Sequence, residues 1–220
     1  MFTIKPIDNA DALSHLKREY FLSSSAPLDG ELHLGYVPMA SHYGSYSEQD
    51  LVGYYCVNEL GEMLQFYLSP LSAIRAESVF ESILNSRSIH PKPVQAAIVS
   101  TSEPAYLALC LDHALESEVQ SLLFCQASEQ TLGSSVTMQA ATQVQLDAFV
   151  EFAVASIGAP ADWLSSYYAN LIARQELFGL WRDNAIIAAG ECRRFEHPQS
   201  EFADLGVIVS PAQRGQGIAS

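Results

Sequence analysis

Two glycines and an arginine follow an apolar run near residue 210, and this spacing is typical of a phosphate-binding loop. The β-branched run Val207, Ile208 and Val209 predicts a buried strand, which Ser210-Pro211 ends. Glycines in the following segment let successive backbone N–H groups converge on one point, and no Cβ keeps a ligand away. The sequence therefore predicts that an anion binds at the end of this strand, on the amides of Arg214, Gly215, Gln216, Gly217, Ile218 and Ala219. A helix that started within the loop would add its own N–H groups and dipole.

Other nucleotide-binding motifs fit this segment less well. A dinucleotide fingerprint places its third glycine at Ser220, and its acidic ribose ligand about 20 residues further on, beyond residue 220. A Walker loop needs Gly-Lys-Ser/Thr, which is absent. An ordinary left-handed turn between a strand and a helix stays open as the structural interpretation.

The strand followed by Arg-x-x-Gly-x-Ala, from Arg214 to Ala219, resembles the diphosphate-binding loop of the GNAT acyltransferases. The resemblance implies an α/β fold with a mixed α+β sheet, the acyl-CoA N-acyltransferase fold, and acetyl-CoA as the co-substrate. It also implies that the backbone of Val207, Ile208 and Val209 pairs with the pantetheine arm. The implied reaction is the direct attack of an amine of a small acceptor on the thioester.

Acyl transfer to an amine needs a base, because the nucleophile is the neutral amine. Glu191 and Asp204 are the nearest carboxylates, on the last two predicted strands, and the resemblance makes them the catalytic candidates. A role as solvated strand residues is the alternative for each. Tyr167 and Tyr168 are candidate substrate contacts, because they lie on the helix that borders the acceptor pocket in GNAT enzymes. Packing is the alternative for both tyrosines.

The chain is strongly acidic, with a net charge of −14 from 25 acidic and 11 basic residues. Such a surface repels nucleic acid and anionic membranes, so neither is expected as a partner. The anionic CoA must then be held by a local patch, formed by Arg214 and the loop amides. Four dispersed cysteines and the lack of a long apolar run indicate a reducing, cytoplasmic location. The six histidines show no metal-ligand spacing, so no metal is expected.

The two halves of the chain share an order of elements that ends in an apolar strand and Ser-Pro. Ser69-Pro70 corresponds to Ser210-Pro211. Counting onward from the prolines, the first copy has neither the arginine nor the two glycines. Ala73, Ile74 and Ala76 stand at those positions.

The sequence thus predicts two GNAT-like units in tandem. Residues 1–126 form a degenerate GNAT-like domain that lacks the CoA loop, and residues 128–220 form the N-terminal part of a GNAT acetyltransferase domain that ends just after this loop. Either the sequence is truncated, or a second copy in a homodimer or another partner completes the sheet. We expect this chain by itself to be a weak or inactive acetyltransferase. The alternative function is a non-catalytic CoA-binding or scaffolding module with the same fold.

Local signals predict several further elements. A short strand is predicted near residues 32–37, a helix beginning at Ser69-Pro70, and a strand over residues 119–125. Thr142 and Gln145 form a capping box for a helix that ends at Gly158. A hairpin is predicted across residues 182–184.

Overall fold

The computed structural model describes residues 2–86, 92–124 and 136–219. The chain divides into two compact units, Met1–Leu123 with Glu196–Ser200, and Phe124–Phe195 with Glu201–Ser220. Each unit contains a β-sheet and α-helices, which confirms the predicted α/β class. No helix in these described ranges is long and apolar enough to cross a membrane.

The first unit is built on a five-stranded sheet in the order β1-β2-β3-β4-β5. The strands are β1 (Phe2–Ile7), β2 (Ser41–Ser47), β3 (Asp50–Val57), β4 (Glu62–Leu68) and β5 (Ala96–Ala97). The first four are antiparallel, whereas β5 runs parallel to β4. Asn58 closes the β3–β4 turn, because its side chain accepts hydrogen bonds from the N–H groups of Leu60 and Glu62, both at 3.0 Å.

Three α-helices pack on the two faces of this sheet: α1 (Ser14–Ser23), α2 (Ala76–Asn85) and α3 (Pro104–His113). On one face, Phe66 of β4 meets Phe80 of α2 edge-on, with ring centroids 5.3 Å apart. On the other face, Tyr20 of α1 meets Tyr54 of β3 edge-on at 6.3 Å. Neighbouring strand residues point to opposite faces, so the sheet is buried on both sides.

Two predictions for the first unit are wrong because local hydrogen bonds start different structures. Residues 32–39 form two helical turns, Leu32–Tyr36 and Val37–Met39, instead of a strand. Asp29 starts the first turn by accepting a hydrogen bond from the N–H of Leu32 at 3.0 Å. Helix α2 begins after Arg75, not at Ser69. The N–H of Ser69 donates to the carbonyl of Val52 at 2.8 Å, so Ser69 stays bonded to β3 just after β4 ends.

The strand predicted over residues 119–125 is also wrong for the residues that are described. Residues 119–124 have no regular secondary structure. The side chains of Val119 and Phe124 are 79% and 90% exposed, so no neighbouring layer buries the apolar run. Cys125 lies outside the described residues.

The second unit contains a four-stranded antiparallel sheet in the order β6-β7-β8-β9. The strands are β6 (Gln139–Ala140), β7 (Leu177–Arg182), β8 (Ala185–Arg194) and β9 (Ala203–Val209). Asp183 and Asn184 join β7 to β8 with φ of 50° and 62°. Two successive left-handed residues match the twist of a tight hairpin. The predicted hairpin is confirmed.

Two helices cover this second sheet, α4 (Leu146–Ile157) and α5 (Ala161–Ala173). The predicted capping box is present ahead of α4, where Gln145 Oε1 accepts a hydrogen bond from the N–H of Thr142 at 2.9 Å. Gly158 ends α4 with a φ of 73°. Phe149 of α4 packs edge-on against Tyr168 of α5 and against Trp181 of β7. These contacts fix the helices on the strands that carry the candidate site.

Candidate functional site

Strand β9 has one backbone edge open, since β8 is the only strand paired with it within the described residues. On the paired side, Val207, Ile208 and Val209 lie opposite Gly190, Ala189 and Ala188 of β8. An extended ligand can add to the open side as a further strand, through N–H and C=O groups. The structure therefore allows the backbone role that the sequence assigned to these three residues.

The loop after β9 lines an open cavity of about 280 Å³. The cavity is lined by Val209, Gln213, Arg214, Gly215, Gly217, Ile218 and Ala219. Gly215 and Gly217 have φ of 75° and 73°, a conformation that strains any residue with a Cβ. Within the described part of the chain, the backbone N–H groups of residues 215–219 donate to no protein acceptor. These donors suit the oxygen atoms of a diphosphate.

A helix dipole does not contribute to this loop in the described residues. A short 3₁₀ turn, Pro211–Gln213, follows β9, and no α-helix begins in residues 214–219. The anion site that the sequence predicts would thus depend on glycine-directed amides.

The side chain of Arg214 ties the loop to the body of the second unit. Its Nε donates to the carbonyl of Val209 at 3.2 Å, and its Nη2 donates to the carbonyl of Ser156 at 2.8 Å. Ser156 lies in the last turn of α4, where carbonyl groups lack helical partners. Arg214 therefore holds the loop between the end of β9 and the end of α4, besides adding positive charge there.

Glu191, Arg193 and Tyr167, all buried, form a polar cluster with the half-buried Asp204 at the start of β9. Glu191 and Arg193 share one face of β8, and Arg193 lies directly opposite Asp204 in the β8–β9 register. Arg193 donates from Nη1 to Glu191 Oε2 at 2.5 Å and from Nε to Asp204 Oδ2 at 3.0 Å. The Tyr167 hydroxyl, from α5, donates to Glu191 Oε2 at 2.7 Å. The structure thus brings together both carboxylate candidates and one tyrosine candidate.

Gly206 makes room for this cluster, because it lies opposite Glu191 on the neighbouring strand. A Cβ at Gly206 would be 3.1 Å from both Nη atoms of Arg193 and 3.3 Å from Glu191 Oε2. These distances are tighter than ordinary packing, so a side chain at this position would require the guanidinium and the carboxylate to shift by a few tenths of an ångström.

Burial and charge together set the protonation of the cluster. Burial first, and then the charge of Glu191, raise the pKa of Tyr167 well above its usual range, so its hydroxyl stays protonated. Burial alone would lower the pKa of Arg193, but Tyr167, Glu191 and Asp204 outweigh it and raise that pKa. The arginine therefore stays charged between the two carboxylates and holds both of them.

Tyr168, the second tyrosine candidate, has no exposed surface and packs edge-on against Phe149 at 6.4 Å. It contributes to the core around α4 and α5. This environment favours the packing interpretation, and the role as substrate contact stays a prediction.

Sequence analysis did not single out Arg193 or Glu176. Glu176 is 1% exposed, and it binds Arg174 at 2.9 Å and Arg194 at 3.3 Å. The available signal is the alternation Glu191-Cys192-Arg193, which places a carboxylate and a guanidinium on the same face of a strand whose first six residues are apolar. Among the described residues, no group of three or more His, Cys, Asp or Glu side chains could hold a metal ion.

The family comparison matches residues 9–127 to a model described as an acetyltransferase (GNAT) domain. The match covers more than half of the chain and falls on the first unit and the residues just after it. No curated protein sequence matches this chain.

One solved structure extends the similarity over nearly the whole chain. A GNAT-family acetyltransferase from Colwellia psychrerythraea is 45% identical to this chain in sequence. The match covers 99% of this chain and 81% of that chain, with a TM-score of 0.78. A tandem GNAT protein from the clavulanic acid biosynthesis pathway, solved without AcCoA, is 12% identical. The match covers 99% of this chain and 82% of that chain, with a TM-score of 0.47.

Proposed function

Because this chain belongs to the GNAT acetyltransferase family, we propose that it binds acetyl-CoA on β9 and the loop of residues 214–219, and transfers the acetyl group to an amine of a small acceptor. The observation that carries this proposal is the set of unpaired loop N–H groups around the cavity after β9. Backbone donors of this kind bind phosphate oxygens without a cluster of basic side chains. Such a mode suits a chain with a net charge of −14.

The open edge of β9 supports the placement of the rest of the co-substrate. We propose that the N–H and C=O groups of Val207, Ile208 and Val209 bind the pantetheine arm as an added strand. The diphosphate then lies on the amides of the loop that follows. Arg214 keeps these two binding segments together through its bonds to Val209 and Ser156.

The proposed chemistry is a direct acyl transfer. The amine nitrogen attacks the thioester carbonyl carbon, the C–S bond breaks, and CoA leaves as the thiol after its sulfur takes up the proton that the base removed from the amine. A backbone N–H on the open edge of β9 stabilises the oxyanion of the tetrahedral intermediate. Glu191 and Asp204 are the candidates for the base that takes the amine proton.

One observation favours a second function, a non-catalytic CoA-binding or scaffolding module. Both carboxylates bind Arg193, and Glu191 Oε2 also accepts a hydrogen bond from Tyr167. A carboxylate held in this way has a structural role already. The same loop would then bind CoA without turnover.

The division of roles between the units is also a proposal. We propose that the first unit is a GNAT domain without a CoA loop, because Ala73, Ile74 and Ala76 replace the arginine and the glycines after β4.

On β9, the side chains of Leu205 and Val207 are 67% and 56% exposed. This exposure supports the proposal that a partner, either a second copy or another protein, covers this apolar face.

Separate measurements of binding and turnover distinguish the enzyme from the module. We expect acetyl-CoA to bind, and a panel of small primary amines to release CoA thiol slowly but above the rate without protein, which a thiol reagent detects. If Asp204 is the base, Asp204→Asn should lower the rate of thiol release at least tenfold with little change in acetyl-CoA affinity. If Glu191 is the base, Glu191→Gln should have this effect. Binding without thiol release across the panel would favour the module. The assay also tests the prediction that this chain alone is a weak enzyme.

A further inference from the structure

Lys17 is a half-buried lysine in the first unit and plays no part in the proposed acetyl transfer. The buried residues Leu13, Leu16 and Tyr20 surround it at helical spacing. Residues three or four apart share one side of a helix, so Lys17 lies on the side of α1 that packs on the sheet.

The ammonium group of Lys17 has no acidic partner within the described residues, where it makes no hydrogen bond or ion pair. Glu19, the nearest acid along the helix, binds His15 at 3.6 Å and accepts a hydrogen bond from the Tyr67 hydroxyl at 3.0 Å. Although it has no partner, Lys17 Nζ is not one of the polar atoms that the fold closes to solvent. A small molecule can therefore reach this nitrogen.

The surroundings of Lys17 favour the neutral amine over the ammonium ion. Burial lowers the pKa of Lys17, and the opposing effect of the nearby Cys56 is smaller. Burial first, and then the charge of Lys17, lower the pKa of His33 to about 3 and that of His42 to about 4, so both rings are neutral at neutral pH. A desolvated lysine has a larger share of neutral amine than an exposed one, and the neutral amine is the nucleophile.

The other two lysines of the chain, Lys5 and Lys92, provide an internal comparison. Both are exposed, and each has a partner for its positive charge. Lys5 Nζ lies 5.3 Å from the centre of the Tyr46 ring, and Lys92 Nζ donates to the carbonyl of Glu59 at 2.9 Å. Lys17 differs from both in burial and in the lack of a partner among the described residues.

We propose that Lys17 is a covalent acylation site, at which Nζ takes the acyl group of a small thioester. The neutral nitrogen attacks the thioester carbonyl carbon, the C–S bond breaks, and the sulfur leaves as the thiol after it takes up, through water, the proton that the nitrogen loses. A neutral amide then replaces a half-buried charge that lacks a partner, which removes a cost in free energy. The site does not depend on the CoA loop, because that loop belongs to the second unit.

S-acetyl-N-acetylcysteamine is the probe, because it is a thioester without the diphosphate of acetyl-CoA. The full chain is incubated with it at pH 8, and acetylation of each lysine is followed by peptide mass spectrometry. We expect the initial rate at Lys17 to be at least fivefold higher than at Lys5 and at Lys92. In concentrated guanidinium chloride this preference should disappear, because it depends on the fold. A smaller preference in the folded chain, or the same preference in the unfolded chain, would overturn the proposal.

Two variants test whether the missing acidic partner matters. Ser14→Glu, at an exposed position one helical turn before Lys17, supplies a carboxylate, and Ser14→Gln is the matched change without charge. We expect the rate at Lys17 to fall at least threefold in Ser14→Glu and to stay at the parent value in Ser14→Gln, with Lys5 as the internal standard. Equal rates at Lys17 in the two variants would contradict the proposal. Neither experiment depends on amine turnover, so each leaves the acetyl-transfer proposal untouched.

Discussion

Arg193 and Asp204 face each other across β8 and β9, and Nη2 of the arginine lies 2.9 Å from Oδ2 of the aspartate. The same guanidinium binds Glu191 on its own strand at 2.5 Å. Arg193 is 5% exposed, and Glu191 is 7% exposed. Because a buried charge is costly without a partner, one arginine neutralises much of the repulsion between two carboxylates.

Removal of this arginine should destabilise the second unit strongly. Arg193→Met leaves Glu191 and Asp204 without their cation, and we expect a loss of about 3–5 kcal/mol in the free energy of unfolding. Urea unfolding followed by tryptophan fluorescence measures the loss, since Trp163 and Trp181, the two tryptophans of the chain, both lie in this unit.

Arg182→Met is the matched control, because its exposed guanidinium binds Gln213 at the surface. We expect it to cost less than about 1 kcal/mol. A similar loss for the two variants would show that the buried Arg193 cluster contributes no more to the free energy of unfolding than an exposed arginine does.

A side chain at Gly206 is expected to disturb the bonds of Arg193. Gly206→Ala places a Cβ 3.1 Å from Arg193 Nη1 and Nη2, so the guanidinium must shift by a few tenths of an ångström against its carboxylates. The expected loss is about 1–3 kcal/mol by the same fluorescence measurement. Leu205→Ala, next along β9 and 67% exposed, should change stability far less. Equal stability of Gly206→Ala and the parent chain would contradict the close approach.

The first unit should lose stability in mild acid through His33. The ring is buried, with Nδ1 2.7 Å from Gln65 Nε2, and burial followed by the charge of Lys17 lowers the pKa of His33 to about 3. Between about pH 6.5 and that value, the unfolded chain binds a proton that the folded chain does not. Stability is therefore fully present above about pH 6.5 and falls as the pH is lowered, by up to about 1.4 kcal/mol per pH unit.

Urea unfolding at pH 7.5 and pH 5.0 checks this dependence. The unfolding is monitored by the near-ultraviolet circular dichroism of the tyrosines, most of which lie in the first unit. His33→Gln should reduce the difference between the two pH values by about 2 kcal/mol, because one of the linked protons is gone. Parallel pH profiles for the variant and the parent chain would rule out His33 as a source of the acid sensitivity.

Arg214 is expected to act on acetyl-CoA affinity more than on stability. Arg214→Met removes the bonds to Val209 and Ser156, so the loop loses its anchor while the core stays intact. We expect acetyl-CoA to bind at least fivefold more weakly, measured by titration calorimetry. Arg75→Met makes the same charge change at an exposed residue of the first unit and should bind normally. Equal weakening in both variants would assign the effect to net charge.

Elements with a local signal could be predicted from the sequence, and elements set by tertiary contacts could not. The β7–β8 turn and the Thr142 capping box depend on adjacent residues, and both are present. The predicted helix start at Ser69 failed because its N–H is used by Val52, a partner that the local sequence does not reveal.

The candidate site shows the same limit. Glu191 and Asp204 could be chosen by residue type, but their shared partner Arg193 becomes visible only with the β8–β9 register. Similarly, an arginine at position 214 indicated an anion site from its residue type alone. Its hydrogen bond to Ser156 in the last turn of α4 depends on how that helix packs. Distances between strands and helices are not encoded in spacing along the chain.

The central claim is that glycine-directed backbone amides after β9 bind the diphosphate of acetyl-CoA. Gly215→Ala and Gly158→Ala are matched, because both glycines have positive φ and a Cβ at either meets no atom within 4 Å. Titration calorimetry of acetyl-CoA with both variants and the parent chain tests the claim most directly. We predict at least tenfold weaker binding for Gly215→Ala and near-normal binding for Gly158→Ala. Unchanged affinity in Gly215→Ala, or no acetyl-CoA binding by the parent chain, would contradict the claim.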